Sequence, residues 1–218
     1  MLDRAARRLV DPPLGRLAAV LAARQVTANT VTLIGFGFGL LAMILVAGER
    51  YLPALAALAL NRLADGVDGA LARRTRPTDL GGYLDIVCDF LFYGAVVFGF
   101  VLAAPENRLP GAFLLLSFIG TGSSFLAFAA LAARRGLETS ARGSKSLYYL
   151  GGLTEGSETI ALFVLCCLFP AAFASLAWIF AAADTGSVAS NIRPRLLIVA
   201  CHRSSTAVGL RSTLGAGQ

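Results

Sequence analysis

Histidine is almost missing from this sequence. His202 is its single imidazole, so histidine acid–base catalysis and a histidine-ligated zinc are both poor fits. Thiol chemistry fares no better: Cys88, Cys166, Cys167 and Cys201 show no metal-ligand spacing, and the adjacent pair reads as small apolar residues of a helix. Charge of either sign is scarce, at 15% of residues, while 56% of the chain is hydrophobic and its mean hydropathy is +0.71, which excludes a free-standing soluble domain. The opening segment also lacks the unbroken apolar run of a cleavable signal peptide, because Pro12, Pro13 and several arginines interrupt it.

What the chain does have is long apolar runs. Stretches able to cross roughly 30 Å of hydrocarbon occupy residues 30–47, 52–73, 80–103, 109–133 and 148–169, and a sixth begins at 171. The expected fold is all-α, a polytopic integral membrane protein of six transmembrane helices with the sixth incomplete. Residues 1–28 are expected to form an interfacial leader: Leu2, Leu9, Val10, Leu14, Leu17, Val20 and Leu21 alternate with arginines as in an amphipathic helix, broken near the proline pair. A disordered basic leader is the alternative.

The net charge of +6 and pI of 9.6 could suggest nucleic acid, but the placement of the basic residues argues against it. Arg4, Arg7, Arg8, Arg16 and Arg24 precede the first span, Arg73, Arg74 and Arg76 follow the second, and Arg134, Arg135, Arg142 and Lys145 follow the fourth. Only Arg50 and Arg108 lie in the intervening loops. By the positive-inside rule, both termini and the loops after spans two and four face the cytoplasm. Anionic lipid is the natural partner of such charge, and no nucleic-acid partner is expected.

Acidic residues are few, yet Asp65, Asp68, Asp85 and Asp89 all fall inside apolar helices. An ionised aspartate at membrane depth costs roughly 2.5 to 3.5 kcal/mol, so such residues persist where they pair, line a wet cavity or bind a cation. Asp65 and Asp68 are spaced i, i+3 and Asp85 and Asp89 i, i+4, so each pair shares a helix face. Pro77 lies in the connection, and the two helices should fold back as an antiparallel hairpin with the outermost pair roughly 12 Å deep. Four converging carboxylates without histidine or thiolate form a hard oxygen site, suited to Mg²⁺ or Mn²⁺. Two divalent ions would balance the charge, and an ion pair roughly 3.5 to 4 Å apart clamps a phosphoryl group. Gly66, Gly69, Gly81 and Gly82 suggest close approach of a ligand to the backbone, and Arg73 is placed to hold a phosphate. A purely structural role, with Asp65 paired to Arg62 or Arg73, explains one aspartate better than it explains four.

At these residues the sequence resembles the CDP-alcohol phosphotransferases. Their signature D-x-x-D-G-x-x-A-R, seven residues, then G-x-x-x-D-x-x-x-D is matched by Asp65, Asp68, Gly69, Ala72, Arg73, Gly81, Asp85 and Asp89. The resemblance implies a six-helix membrane enzyme with an interfacial N-terminal helix, usually a homodimer, in the inner membrane. It implies transfer of a phosphatidyl group from CDP-diacylglycerol to an alcohol acceptor with release of CMP, or, in related members, of a phosphoalcohol from a CDP-alcohol to a lipid. It further implies that Asp65, Asp68 and Asp85 ligate the metals, with Asp89 as a further ligand or as the catalytic base, and that Gly69, Ala72, Arg73 and Gly81 seat the nucleotide and pyrophosphate. Asn29, at the start of the first span, also matches the family; it suits a cap for that helix equally well, and the two roles are compatible.

Other features are weaker. Gly35, Gly37 and Gly39 lie within an apolar span and not in a strand-to-helix turn, so they form no dinucleotide loop; Gly35 and Gly39 are a small-xxx-small pair suited to helix packing. Arg134, Arg135, Arg142 and Lys145 act as topology determinants or hold the phosphate of an acceptor. Glu155 and Glu158 either favour a helix start through the macrodipole or line an acceptor pocket. Residues 1–183 therefore read as one membrane domain. From Asp184 the composition changes, and residues 184–218 read as an atypical, disordered tail, from a frameshifted end or following a short last helix. The rivals to the transferase are an intramembrane cation transporter, which leaves Arg73 and the glycines unexplained, and a structural protein with a dead site.

Overall fold

The computed structural model describes residues 2–134 and 156–187, with side chains from residue 12 onward within them. Every regular element among the described residues is helical. They are α1 (Leu2–Ala23), α2 (Ala28–Ala47), α3 (Tyr51–Arg74), α4 (Asp79–Ala103), a 3₁₀ turn (Pro105–Asn107), α5 (Arg108–Arg134), α6 (Gly156–Leu168), a second 3₁₀ turn (Pro170–Ala172) and α7 (173–187). The basic residues Arg135, Arg142 and Lys145, together with Glu155 and residues 188–218, lie outside the described residues.

Among the described residues, three helical segments are long and apolar enough to cross a membrane: Ala28–Ala47, Asp79–Ala103 and Pro105–Arg134. At 24 residues α3 has the length, but Asn61, Arg62, Asp65 and Asp68 in its middle depress its hydropathy. Outward-facing Leu33, Ile34, Ile44, Leu91, Leu116 and Ile119 are exposed, as a lipid solvent requires. α1 does not break at its prolines. It runs through Pro12 and Pro13, whose fixed φ is itself helical, at the loss of backbone hydrogen bonds.

The described residues fall into two compact units, one drawn from Met1–Ala112 and Ala161–Leu176, the other from Phe113–Ile160 and Ala177–Gln218. In the first, α2 runs antiparallel to α3 and parallel to α4, and glycines set both seams. A Cβ on Gly35 would lie 2.8 Å from the Ala64 Cβ, one on Gly39 2.6 Å from Phe92 Cδ2, and one on Gly99 2.7 Å from the Met43 carbonyl oxygen. Leu14 and Ala18 of α1 pack on Val31, Val67, Ala70 and Leu71, which holds the leader against the α2–α3 pair. Aromatic rings fill the rest: Phe92 meets Phe163 edge-on at 6.1 Å and Phe100 stacks on Phe173 at 4.6 Å.

In the second unit α7 continues past residue 183, and Asp184, 1% exposed, accepts a 2.7 Å hydrogen bond from the Thr121 hydroxyl. That bond satisfies a buried carboxylate that a polar tail would have left in water.

Candidate metal centre

α3 and α4 form the expected hairpin, and its local chemistry is legible residue by residue. α3 ends on Arg73 and Arg74, which favour the negative end of a helix. Thr78 then caps α4, its hydroxyl accepting from the Gly81 amide at 3.0 Å, with Asp79 in the first turn. Pro77 separates the two helices, and the chain returns with Asp85 opposite Asp65 and Asp68.

One carboxylate oxygen from each of Asp65, Asp68 and Asp85 lies within 4.8 Å of the others. Asp68 is the most enclosed of the three, at 5% exposed, and its Oδ2 accepts a 2.6 Å hydrogen bond from the Thr32 hydroxyl, whose single proton has the Ala28 carbonyl at 3.1 Å as its alternative acceptor. Asp89 takes a different partner. Arg62 Nη2 donates to its Oδ1 at 2.7 Å, while Arg62 Nη1 stands 3.6 Å from Asp65 Oδ2. The Arg62 Nε donates to Asn61 Oδ1 at 2.8 Å, and Asn61 Nδ2 donates to the Gly35 carbonyl at 2.8 Å. A small cavity lined by these groups, with Phe36 and Cys88, opens between α2, α3 and α4.

Three carboxylates whose oxygens approach this closely repel one another unless a cation or protons intervene, and oxygen-only donors match Mg²⁺ or Mn²⁺. The donor set therefore fits a hard divalent ion.

The nucleotide-seat residues fall at the same end of the hairpin. A Cβ on Gly81 would come within 3.0 Å of Asn29 Oδ1, so these two residues from α4 and α2 face each other. Asn29 does not cap α2; Thr27 does, its hydroxyl accepting from the Thr30 amide at 3.2 Å. The cap is displaced because Thr27 is the last extended residue before the helix. Gly69 sits below the Arg73 guanidinium, 3.4 Å from where its Cβ would stand, and Arg73 is exposed with Ala72 half-buried beside it. Arg134 ends α5 and Glu158 lies in the first turn of α6; both are exposed and belong to the second unit. Thr32, Asn61 and the Arg62–Asp89 pair were not singled out by the sequence. Their signal is helical spacing: Thr32 stands one turn after Asn29, and Arg62 one turn before Asp65.

Comparison with known proteins bears on the same region. The family model for CDP-alcohol phosphatidyltransferase matches residues 25–192. The inner membrane protein YnjF of Escherichia coli is 58% identical over 183 residues, covering 84% of this chain and 89% of that protein. An archaetidylinositol phosphate synthase of Pyrococcus horikoshii is 37% identical over 97 residues, 44% of this chain and 52% of its own length. Among solved structures, Mycobacterium tuberculosis phosphatidylinositol phosphate synthase PgsA1 with CDP-DAG bound aligns with TM-score 0.61 at 21% identity, over 84% of this chain and 92% of that one. The same enzyme with manganese and citrate aligns with TM-score 0.62 at 20% identity, over 84% and 88%. These structures share its fold.

Proposed function

Because the chain belongs to the CDP-alcohol phosphatidyltransferase family, we propose that it transfers the phosphatidyl group of CDP-diacylglycerol to the hydroxyl of an alcohol, releasing CMP. The observation that carries this reading is the closure of Asp65, Asp68 and Asp85 on one another within 4.8 Å, beside the Asn29–Gly81 contact. These three aspartates would hold two divalent ions, Mg²⁺ or Mn²⁺, which when bound neutralise the pyrophosphate and the charge that builds on transfer.

The chain's own residues do the rest. Gly69, Ala72 and Gly81 leave room for the nucleotide, Asn29 offers it an amide, and exposed Arg73 binds a phosphate oxygen. Asp89 accepts the acceptor's hydroxyl proton as the new O–P bond forms and the bond to the CMP phosphate oxygen breaks. Arg134, Arg135, Arg142 and Lys145 either set the membrane topology or hold the phosphate of an acceptor, and Glu155 and Glu158 either favour a helix start or contact the acceptor. The chain would sit in the inner membrane with six spans, an interfacial leader, both termini and the site cytoplasmic, and would act as a homodimer. The name of the E. coli relative and the run of apolar helices support the membrane assignment.

The test is release of CMP from CDP-diacylglycerol by the purified chain in lipid vesicles, with Mg²⁺ or Mn²⁺ and a panel of inositol phosphate, glycerol 3-phosphate, serine, choline and glycerol. Inositol phosphate heads the panel because an archaetidylinositol phosphate synthase and a phosphatidylinositol phosphate synthase are among the similar proteins. Turnover that needs both the metal and one acceptor is expected. No metal-dependent CMP release with any of them would refute the reading.

A further inference from the structure

Arg62 is the unexpected group in this centre. A guanidinium so close to the carboxylates opposes cation binding, yet it is locked from three sides. Its Nη2 donates to Asp89 at 2.7 Å and its Nε donates to Asn61, which is itself anchored on the Gly35 carbonyl. Its plane lies over the ring of Phe92, 4.6 Å from the centroid, and Phe92 is fully buried on α4 one turn past Asp89. These directional contacts define one orientation for the guanidinium, and a lysine reproduces the charge alone.

Resting on the reading above, we infer that Arg62 is a positioning residue that holds the Asp89 carboxylate apart from the Asp65–Asp68–Asp85 group, so that Asp89 stays available for a proton instead of becoming a metal ligand. Asp89 differs from the other three aspartates in its place: its Oδ1 takes the 2.7 Å hydrogen bond from Arg62, which stands farther from Asp65 at 3.6 Å, and it lies outside the group of Asp65, Asp68 and Asp85 whose oxygens converge within 4.8 Å. Releasing it has two opposite effects. The site gains negative charge and a fourth ligand, and so binds a divalent ion more tightly. The proton acceptor loses its orientation, and so turnover falls.

The experiment measures Mn²⁺ affinity of the full chain in detergent by calorimetry, with Mn²⁺ as the probe, for wild type, Arg62→Gln, Arg62→Lys, Asp89→Asn and the double variant Arg62→Gln/Asp89→Asn. Arg62→Gln is expected to bind Mn²⁺ at least about tenfold more tightly, the larger share coming from the freed Asp89 carboxylate as a new anionic ligand and a smaller share from the lost guanidinium charge, which persists whatever stands at position 89. Arg62→Lys should stay near wild type, and most of the gain should vanish when Asp89 is already Asn. In CMP release, Arg62→Gln should be slower by roughly 10- to 100-fold, the effect of a misplaced reacting group, and should add little to Asp89→Asn. Unchanged or weaker Mn²⁺ binding in Arg62→Gln would overturn the inference, as would an equal gain in the Asp89→Asn background. Should Arg62→Gln not fold, the comparison of Arg62→Lys with the charge-balanced double variant decides it: equal Mn²⁺ affinity and equal turnover sink the idea, and faster turnover by the lysine variant supports it. A wild type that binds Mn²⁺ without releasing CMP from CDP-diacylglycerol with any acceptor would refute the transferase reading and leave the Mn²⁺ comparison to judge Arg62.

Discussion

Gly35→Ala and Gly37→Ala add the same methyl group to the same helix two residues apart, and the structure assigns them opposite outcomes. At Gly37 a Cβ meets nothing within 4 Å, whereas at Gly35 it would stand 2.8 Å from the Ala64 Cβ, with the Ala64 Cα at 4.0 Å behind it. Carbon atoms settle at about 3.5–4.0 Å, so the α2–α3 seam must open by about 0.7–1.2 Å. Two hydrogen bonds cross that seam, Thr32 to Asp68 at 2.6 Å and Asn61 to the Gly35 carbonyl at 2.8 Å. Stretched by that amount they come to about 3.3–4.0 Å, close to or past the useful limit of about 3.5 Å. Overpacking and the weakened bonds together should cost about 2–4 kcal/mol. Displacing the groups behind Asp68 and Arg62 by up to about 1 Å should lower turnover roughly 100-fold. Gly37→Ala should stay within about 1 kcal/mol of wild type, the range of helix propensity alone. Thermal unfolding in detergent and metal-dependent CMP release measure both. Equal behaviour of the two variants would refute the claim that Gly35 sets the distance between the helices that build the site.

Asp65→Asn, Asp68→Asn and Asp85→Asn should each abolish turnover with membrane insertion retained; in Asp68→Asn the amide oxygen still accepts from Thr32, so its melting temperature should move least. A near-native rate with unchanged metal dependence in any of them would remove that residue from the metal set. Asp89→Asn should still bind Mn²⁺, about tenfold more weakly because Arg62 is left unneutralised, keep CDP-diacylglycerol binding and lose roughly 10² to 10⁴ in turnover, the usual share of general acid–base catalysis; metal affinity that collapses with the rate would make Asp89 chiefly a ligand. If the acceptor is phosphorylated, neutralising one of Arg134, Arg135, Arg142 or Lys145 should raise the acceptor KM and leave that for CDP-diacylglycerol unchanged. Four silent substitutions would point to a neutral alcohol and to Glu155 and Glu158.

Spacing along the chain determined a good deal by itself. Apolar run lengths place α2, α4 and α5 within a few residues, because crossing hydrocarbon demands a minimum length and a break between spans. The i, i+3 and i, i+4 steps put each pair of aspartates on one face, since the helical period is fixed by the backbone. Pro77 and Thr78 mark the turn of the hairpin for equally local reasons. Tertiary structure alone decided which partner each acid takes. Arg62 is three residues from Asp65 in sequence, yet it forms its short contact with Asp89 on the next helix. Asn29 suits a helix cap, but Thr27 takes that place and Asn29 turns toward Gly81. The i, i+4 spacing of Gly35 and Gly39 marks a packing face, but only the tertiary structure sets Gly35 against Ala64 of α3 and Gly39 against Phe92 of α4. Contacts of this kind depend on the separation and rotation of three packed helices, which neither period nor composition encodes, because close packing is a property of the assembled side chains and not of any one segment.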